Sequence, residues 1–196
     1  MGRKLEFCRQ QALHTAMESF WAKGYEHTSM RDLAASLGLH LGSVYNALGD
    51  KEKVFESALK LHLEEVVMPE MKKLEQAENP LGAIEEFLQR VLSECGTPTQ
   101  APGCFLVNSL LDITDINDRI TDILRDYMSR LEQSFAVCIR NAQDKGQIPA
   151  DKDALVKARY VIGIMFSLRT LSKLNMPQEH IRDVYNCALQ SLTRPA

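Results

Sequence analysis

The run SMRDLAASLGLHLGSVYNAL, residues 29–48, limits the fold more than any other part of the chain. Two short apolar-periodic segments flank Gly38. Glycine takes left-handed backbone without steric strain, so it can end one helix and turn the chain into the next. Ala34, Ala35 and Val44 are small enough for the two helices to pack closely. A short helix, a Gly-containing turn and a second short helix within this length form a helix-turn-helix. A three-helix lobe with small residues is also a plain packing solution, so spacing by itself leaves a structural role open.

The rest of the sequence is helical in pattern. Leu5, Cys8, Ala12, Ala16, Phe20 and Trp21 recur at three- and four-residue steps from about Lys4 to Lys23, and Gly24 stops that helix. Thr28 or Ser29 caps the next helix, and Asp32 stands early in it, where a carboxylate suits the helix dipole. A third helix covers about Leu41 to Ala47. Asp50 then caps a longer one starting at Lys51, with Val54, Phe55, Ala58 and Leu61 on one face, until Pro69 kinks or breaks it. Further helices are expected from Asn79-Pro80 to about Cys95, then at about 103–113, 117–145, 152–174 and 177–192. No strand-like alternation, internal repeat or low-complexity segment interrupts them. The reading is an all-α chain of about nine helices. It has a helix-turn-helix domain at 1–50, with the motif at 29–48, and a helical ligand-binding and dimerisation domain at 51–196.

Charge and cysteine use narrow the function classes. Eight Lys/Arg meet seven Asp/Glu in residues 1–60, against fifteen and nineteen in the remainder, so the first segment is the less acidic one on a chain of net charge −3. That asymmetry fits a nucleic-acid module on an acidic body, or chance. Cys8, Cys95, Cys104, Cys138 and Cys187 are odd in number and never spaced as CxxC. A disulfide framework or zinc finger is not expected, and a cytoplasmic location is. The N-terminus has no signal-peptide core, and YVIGIMFSL is too short to span a bilayer, so no membrane is expected. No HExxH, phosphate loop or nucleophile elbow points to an enzyme. Asp112, Asp115, Asp118 and Asp122 form an acidic run without His or Cys to complete a metal set. No cofactor or metal is expected.

In a helix-turn-helix the second helix lies in the DNA major groove. That brings His40, Leu41, Gly42 and Ser43 to the base edges, and Asn46, one turn on, can bond adenine bidentately. Tyr45 and Lys51 suit phosphate oxygens. Thr28 and Ser29, at the entrance to the first helix, complete the candidate DNA-binding set.

From about Cys8 to Phe55 the chain resembles the TetR/AcrR family of transcriptional regulators. Phe20, Lys23, Gly24, Tyr25, Thr28, Arg31, Leu33, Ala34, Gly38, Gly42, Val44, Tyr45, Lys51 and Val54 stand where that family's N-terminal pattern has them. Leu48 replaces a usual Phe. Leu41 and Ala47 replace residues that are often polar, basic or aromatic, which leaves fewer polar base contacts and the operator sequence open. The resemblance implies a homodimer on a palindromic double-stranded DNA operator, and release by a small-molecule inducer. It implies dimerisation through the last two helices, where Ile164, Leu168, Ile181, Val184, Tyr185 and Leu189 are the candidate interface. Walls of a ligand pocket, or simple core, are Phe87, Val91, Leu106, Leu110, Met128, Leu131, Phe135, Met165 and Phe166. Cys104, expected in the first turn of a helix, is a further ligand-site candidate and either a reactive thiol, with Cys95 as its resolving partner, or a buried small hydrophobe. A helical small-molecule or redox sensor that does not bind DNA is the alternative, and Leu41 and Ala47 keep it open. Repressor and activator are not distinguished by any residue, although repression is the expectation.

Overall fold

The structure, a computed structural model, describes residues 2–95, 105–112 and 118–194. Among them are ten α-helices. They are α1 (Gly2–Lys23), α2 (Met30–Leu37), α3 (Leu41–Leu48), α4 (Lys51–His62), α5 (Met68–Glu75), α6 (Pro80–Cys95), α7 (Phe105–Asp112), α8 (Asp118–Asp144), α9 (Ala154–Lys173) and α10 (Gln178–Thr193). A π-helical segment, Leu63–Val67, joins α4 to α5. Pro69 explains its place. Proline has no N–H and its ring crowds the carbonyl four residues back, so the ladder loosens one turn upstream instead of continuing as α-helix. The helix is therefore widened before the proline and resumes around it.

Two compact units emerge. The first gathers the chain up to Val67 together with α7 and the start of α8, to Thr121; the second holds α5, α6, the rest of α8, α9 and α10. The sequence boundary at residue 50 follows the end of the motif, but α4 belongs with the helices before it. Val54, Phe55, Ala58 and Leu59 are buried, and α4 packs along α1.

Phe55 organises the first unit. Its ring lies 5.0 Å from Phe20 and 5.9 Å from Phe105, both edge-to-face, and 4.7 Å from Tyr25. Edge-to-face rings gain quadrupole attraction beyond the area they bury. Around this cluster α1 contributes Leu13, Ala16 and Met17, α2 Met30, Leu33 and Ala34, and α3 Val44 and Leu48. In the second unit, Ile84, Leu88 and Val91 of α6 share the core with Leu131, Phe135 and Ile139 of α8, Val161 and Met165 of α9, and Ile181 and Leu192 of α10.

Truncating the hub leaves a void that helices from three directions cannot refill. Phe55→Ala is expected to lower stability by about 3–5 kcal/mol, read from urea denaturation followed by circular dichroism.

Candidate nucleic-acid interface

The two short helices at 29–48 are locked by their ends. Ser29 Oγ accepts from the Asp32 N–H at 3.1 Å, while the Ser29 N–H donates to the Asp32 carboxylate at 2.8 Å. This reciprocal capping box satisfies free N–H groups at the start of α2. The Ser29 hydroxyl, then the Ser29 backbone, holds the Asp32 carboxyl below the usual carboxylate range, with Lys23 adding a smaller effect. Gly38 closes α2 in left-handed backbone (φ 63°), and the Leu39 N–H reaches back to the Ala34 carbonyl at 3.0 Å. The helix start is therefore set by Ser29, as one of the two sequence alternatives.

Thr28 has a different role from the one expected. It is fully buried, and its hydroxyl donates to the Gly24 carbonyl at 2.8 Å. It fastens the turn after α1 and presents nothing to solvent, so its place among DNA-contacting side chains is corrected to a structural one. A small β-branched hydroxyl fits there because the carbonyls of a helix C-terminus need a donor.

On α3, Val44 and Leu48 are buried one turn apart and hold the helix to the unit. Gly42, Ser43, Tyr45, Asn46 and Ala47 are exposed, His40 at the N-cap is exposed, and Leu41 is half-buried. Tyr45 keeps 47% of its surface accessible. A Cβ on Gly42 would meet nothing within 4 Å, so packing inside the chain does not demand glycine there. His40 makes no side-chain cap bond, which leaves its ring unengaged by the helix start.

Lys51 sits at the start of α4 with its ammonium 4.2 Å from the centre of the Tyr25 ring and 3.4 Å from the Glu26 carbonyl. The Tyr25 phenol is pushed up by burial, then by Glu52, Glu26 and Asp50, and stays neutral. Asp50 caps α4 by accepting from the Lys53 N–H at 2.9 Å. Tyr25 as the rest for Lys51, and Leu39 with 46% of its surface exposed at the turn, were not among the sequence candidates. The pairing of Tyr25 with Lys51 spans 26 positions, beyond the reach of local pattern.

The other candidate sites among the described residues lie on the helices of the second unit, except Leu106 and Leu110 on α7 in the first. Leu168 and Ile181 are fully buried within the chain, which corrects their assignment to a subunit interface. Ile164, Val184, Tyr185 and Leu189 are half-buried. Burial, then Glu85 of α6, raises the Tyr185 phenol. Outside its core stripe α9 exposes Val156 (51%) and Tyr160 (40%), with Gly163 and half-buried Ser167 continuing at helical spacing. Of the pocket candidates, Val91, Leu131, Phe135 and Met165 are buried, as is Leu106. Phe87, Met128 and Phe166 are half-buried, and the Phe87 ring meets Phe135 at 5.1 Å. Cys104 and the side chain of Leu110 lie outside the described residues. Cys138 is buried, its thiol pushed up to about 11 by desolvation, and burial also raises Cys95.

Residues 12–58 match the profile "Bacterial regulatory proteins, tetR family", and residues 80–187 match "Tetracyclin repressor-like, C-terminal domain". The chain belongs to the TetR family. An uncharacterized HTH-type transcriptional regulator of Bacillus subtilis, YezE, is 30% identical over 98% of this chain and 100% of its own length. The HTH-type transcriptional repressor ComR of Escherichia coli is 26% identical over 82% of this chain and 77% of its own. Among solved structures, a cysteine mutant of the TetR family regulator CifR, complexed with 26 bp double-strand operator DNA, is 25% identical. It superposes with a TM-score of 0.78 over 93% of this chain and 96% of that one. A TetR regulator from Chloroflexus aurantiacus shares the fold, with a TM-score of 0.84 at 21% identity and coverage of 98% and 97%. The protein is thus an all-α, helix-turn-helix DNA-binding transcriptional regulator, as its sequence pattern implied. No helix among the described residues is long and apolar enough to cross a membrane.

Asp32 gives the motif a pH signature. Its folded-state pKa is lowered, so the capping box contributes fully above the ordinary carboxylate value of about 3.9. The contribution is lost as pH falls through the lowered value. The stability gap between the wild type and Asp32→Asn is therefore expected to stay constant from pH 7 to 5 and to close in stronger acid. Urea melts across that range measure it.

Proposed function

We propose that this TetR-family regulator is a cytoplasmic repressor that binds a palindromic operator as a homodimer and leaves it when an inducer occupies the helical body. The observation that carries the reading is α3, anchored from beneath by Val44 and Leu48 while Gly42, Ser43, Tyr45 and Asn46 face outward. A glycine that internal packing does not require supports close approach by an external backbone. Operator DNA in the CifR complex and the repressor name of ComR support the same reading by kinship.

Each side chain then has a distinct task. Asn46 offers a donor and an acceptor to one adenine edge. Lys51, lifted from the Tyr25 ring, neutralises a phosphate, and Tyr45 donates to another. Leu41 suits a thymine methyl group. His40, Ser29 and Ser43 lie at the helix starts, where they reach backbone oxygens.

A half-site reader needs a second copy to read a palindrome, and α9 supplies a face for it. Val156, Tyr160, Gly163, Ile164 and Ser167 make a stripe of apolar and small residues, and small residues shorten the distance at which helices cross. Val184 and Leu189 on α10 flank it. Exposed apolar stripes on a helix are explained by a partner. Inducer binding acts on DNA affinity only if the ligand binds the DNA-free arrangement better. Phe87 and Met128, half-buried beside Phe135 and Leu131, are the wall residues we favour for that pocket.

Two measurements test this reading. Lys51→Ala should weaken specific and non-specific duplex alike and reduce the slope of log affinity against log salt by about 0.9 per lost contact. Asn46→Ala should instead relax preference at one base pair per half-site, at a cost of about 1–3 kcal/mol. Fluorescence anisotropy with a selected palindromic operator duplex and a scrambled duplex reads both, and an unchanged salt slope for Lys51→Ala sinks the phosphate role. For assembly, Gly163→Trp is tolerated within one chain, where a Cβ meets nothing within 4 Å. It should nevertheless convert a dimer to a monomer in sedimentation velocity.

A further inference from the structure

The helix that faces DNA is uncharged. α3, with the sequence LGSVYNAL, holds no acidic and no basic side chain. The nearest cations along the chain belong to other elements. Lys23 ends α1, Arg31 is exposed in the first turn of α2, and Lys51 and Lys53 open α4. Two of them already have carboxylates, Lys23 with Asp32 at 3.8 Å and Lys53 with Asp50 at 3.9 Å. The charge available to phosphate is thus kept apart from the side chains available to bases.

That separation decides which bases the helix can read. Val44 and Leu48 are buried and fix its inward side. At about 100° per residue, Asn46 points directly away from them, with Gly42 one turn earlier on the same line. Exposed Ser43 and Ala47 form one flank, exposed Tyr45 the other, and Leu41 stands at the tip. In the major groove guanine presents two acceptors, N7 and O6, which a guanidinium or ammonium pairs. α3 has neither group. The Asn46 carboxamide would satisfy one of those acceptors and oppose its own oxygen to the other. Cytosine presents the N4 donor, which a carboxylate accepts, and α3 has no carboxylate. Adenine presents one acceptor and one donor, N7 and the N6 amino group, and the carboxamide matches both. Thymine adds a C5 methyl, which suits apolar side chains such as Leu41 and Ala47. The Ser43 hydroxyl turns to donate or accept, so it discriminates little.

We infer that α3 reads A·T pairs alone: adenine through the Asn46 carboxamide, and thymine through its C5 methyl group, held against Leu41 and Ala47. Guanine and cytosine are rejected because nothing on the helix answers the groups they present. The inference rests on α3 being the base-contacting helix, and it adds the chemical class of the half-site that this helix takes.

In vitro selection of random duplexes with the full-length protein supplies the operator, and base analogues that change one group at a time then test each contact by fluorescence anisotropy. The selected half-site should be A·T throughout the stretch that faces α3. Uracil in place of a contacted thymine removes only the methyl and should weaken binding about fourfold per half-site, the worth of one buried methyl group. At the same position a C·G pair should bind poorly, and 5-methylcytosine should regain about that fourfold. 7-Deazaadenine opposite Asn46 removes one acceptor and should cost about fivefold in the wild type and nothing in Asn46→Ala. Leu41→Ala and Ala47→Gly should each erase the uracil penalty at one thymine, while Leu41→Met, which keeps an apolar contact, should retain it. Each penalty is a ratio between two duplexes on one protein, so a general loss of stability does not imitate it. The inference is overturned if selection returns a guanine whose 7-deaza form weakens binding in wild-type and Arg31→Ala protein alike. It is equally overturned if uracil costs nothing at every thymine, or if the uracil penalties survive in both Leu41→Ala and Ala47→Gly. Those three results leave the repressor reading standing, because a half-site is still selected; a selection that enriches no half-site overturns both.

Discussion

The edge-to-face cluster on Phe55 is the contact on which the DNA-facing part depends. Phe20, Tyr25 and Phe105 each meet that ring. Phe20 belongs to α1, and Tyr25 begins the turn that Thr28 fastens. Through Tyr25 the same cluster sets where Lys51 rests. A recognition helix of only eight residues is not stable alone, because the first turn of a helix is costly to form. Its orientation comes from Val44 and Leu48 seated on this core. The outward face of α3 is thus held in place by packing in the core of the first unit.

That packing also accounts for what the sequence disclosed and what it withheld. Helix boundaries followed local signals: Gly24, Gly38, Asp50 and Pro80 each act within a turn of their own position. The motif at 29–48 was legible for the same reason. The π segment was less so. Pro69 marked a break, yet the proline was accommodated inside α5 and the disturbance moved upstream to Leu63–Val67. Thr28 was misassigned because a Thr before a helix looks like a cap or a phosphate donor. Only its burial, decided by α1 folding over it, shows that its hydroxyl serves the Gly24 carbonyl. Tyr25 with Lys51, 26 positions apart, is settled by tertiary approach and had no short-range signature.

The face of α3 is unusually apolar for a reader of base edges. Leu41 and Ala47 carry no hydrogen-bonding side chain, so Asn46 is the residue of α3 with a paired donor and acceptor for one base. Phosphate contacts supply affinity but no sequence information. Specificity must then come from few direct contacts, from thymine methyl groups, and from the shape of the duplex. On the proposed contacts each half-site would discriminate weakly, and a two-fold assembly would double the discriminating contacts. The poverty of polar residues on α3 is therefore a reason for the dimer, and not an argument against DNA binding.

The same logic separates the two faces of α9. Its sequence is apolar nearly all round, which made Leu168 and Ile164 look equivalent. In the fold they are not, because Ala158, Val161, Ile162, Met165 and Leu168 turn inward while Val156, Tyr160 and Gly163 turn outward. Burial inside one chain removes Leu168 from any partner's reach. The outward stripe retains bulk at Val156 and Tyr160 and none at Gly163. A crossing helix can come closest at Gly163 and diverge from there.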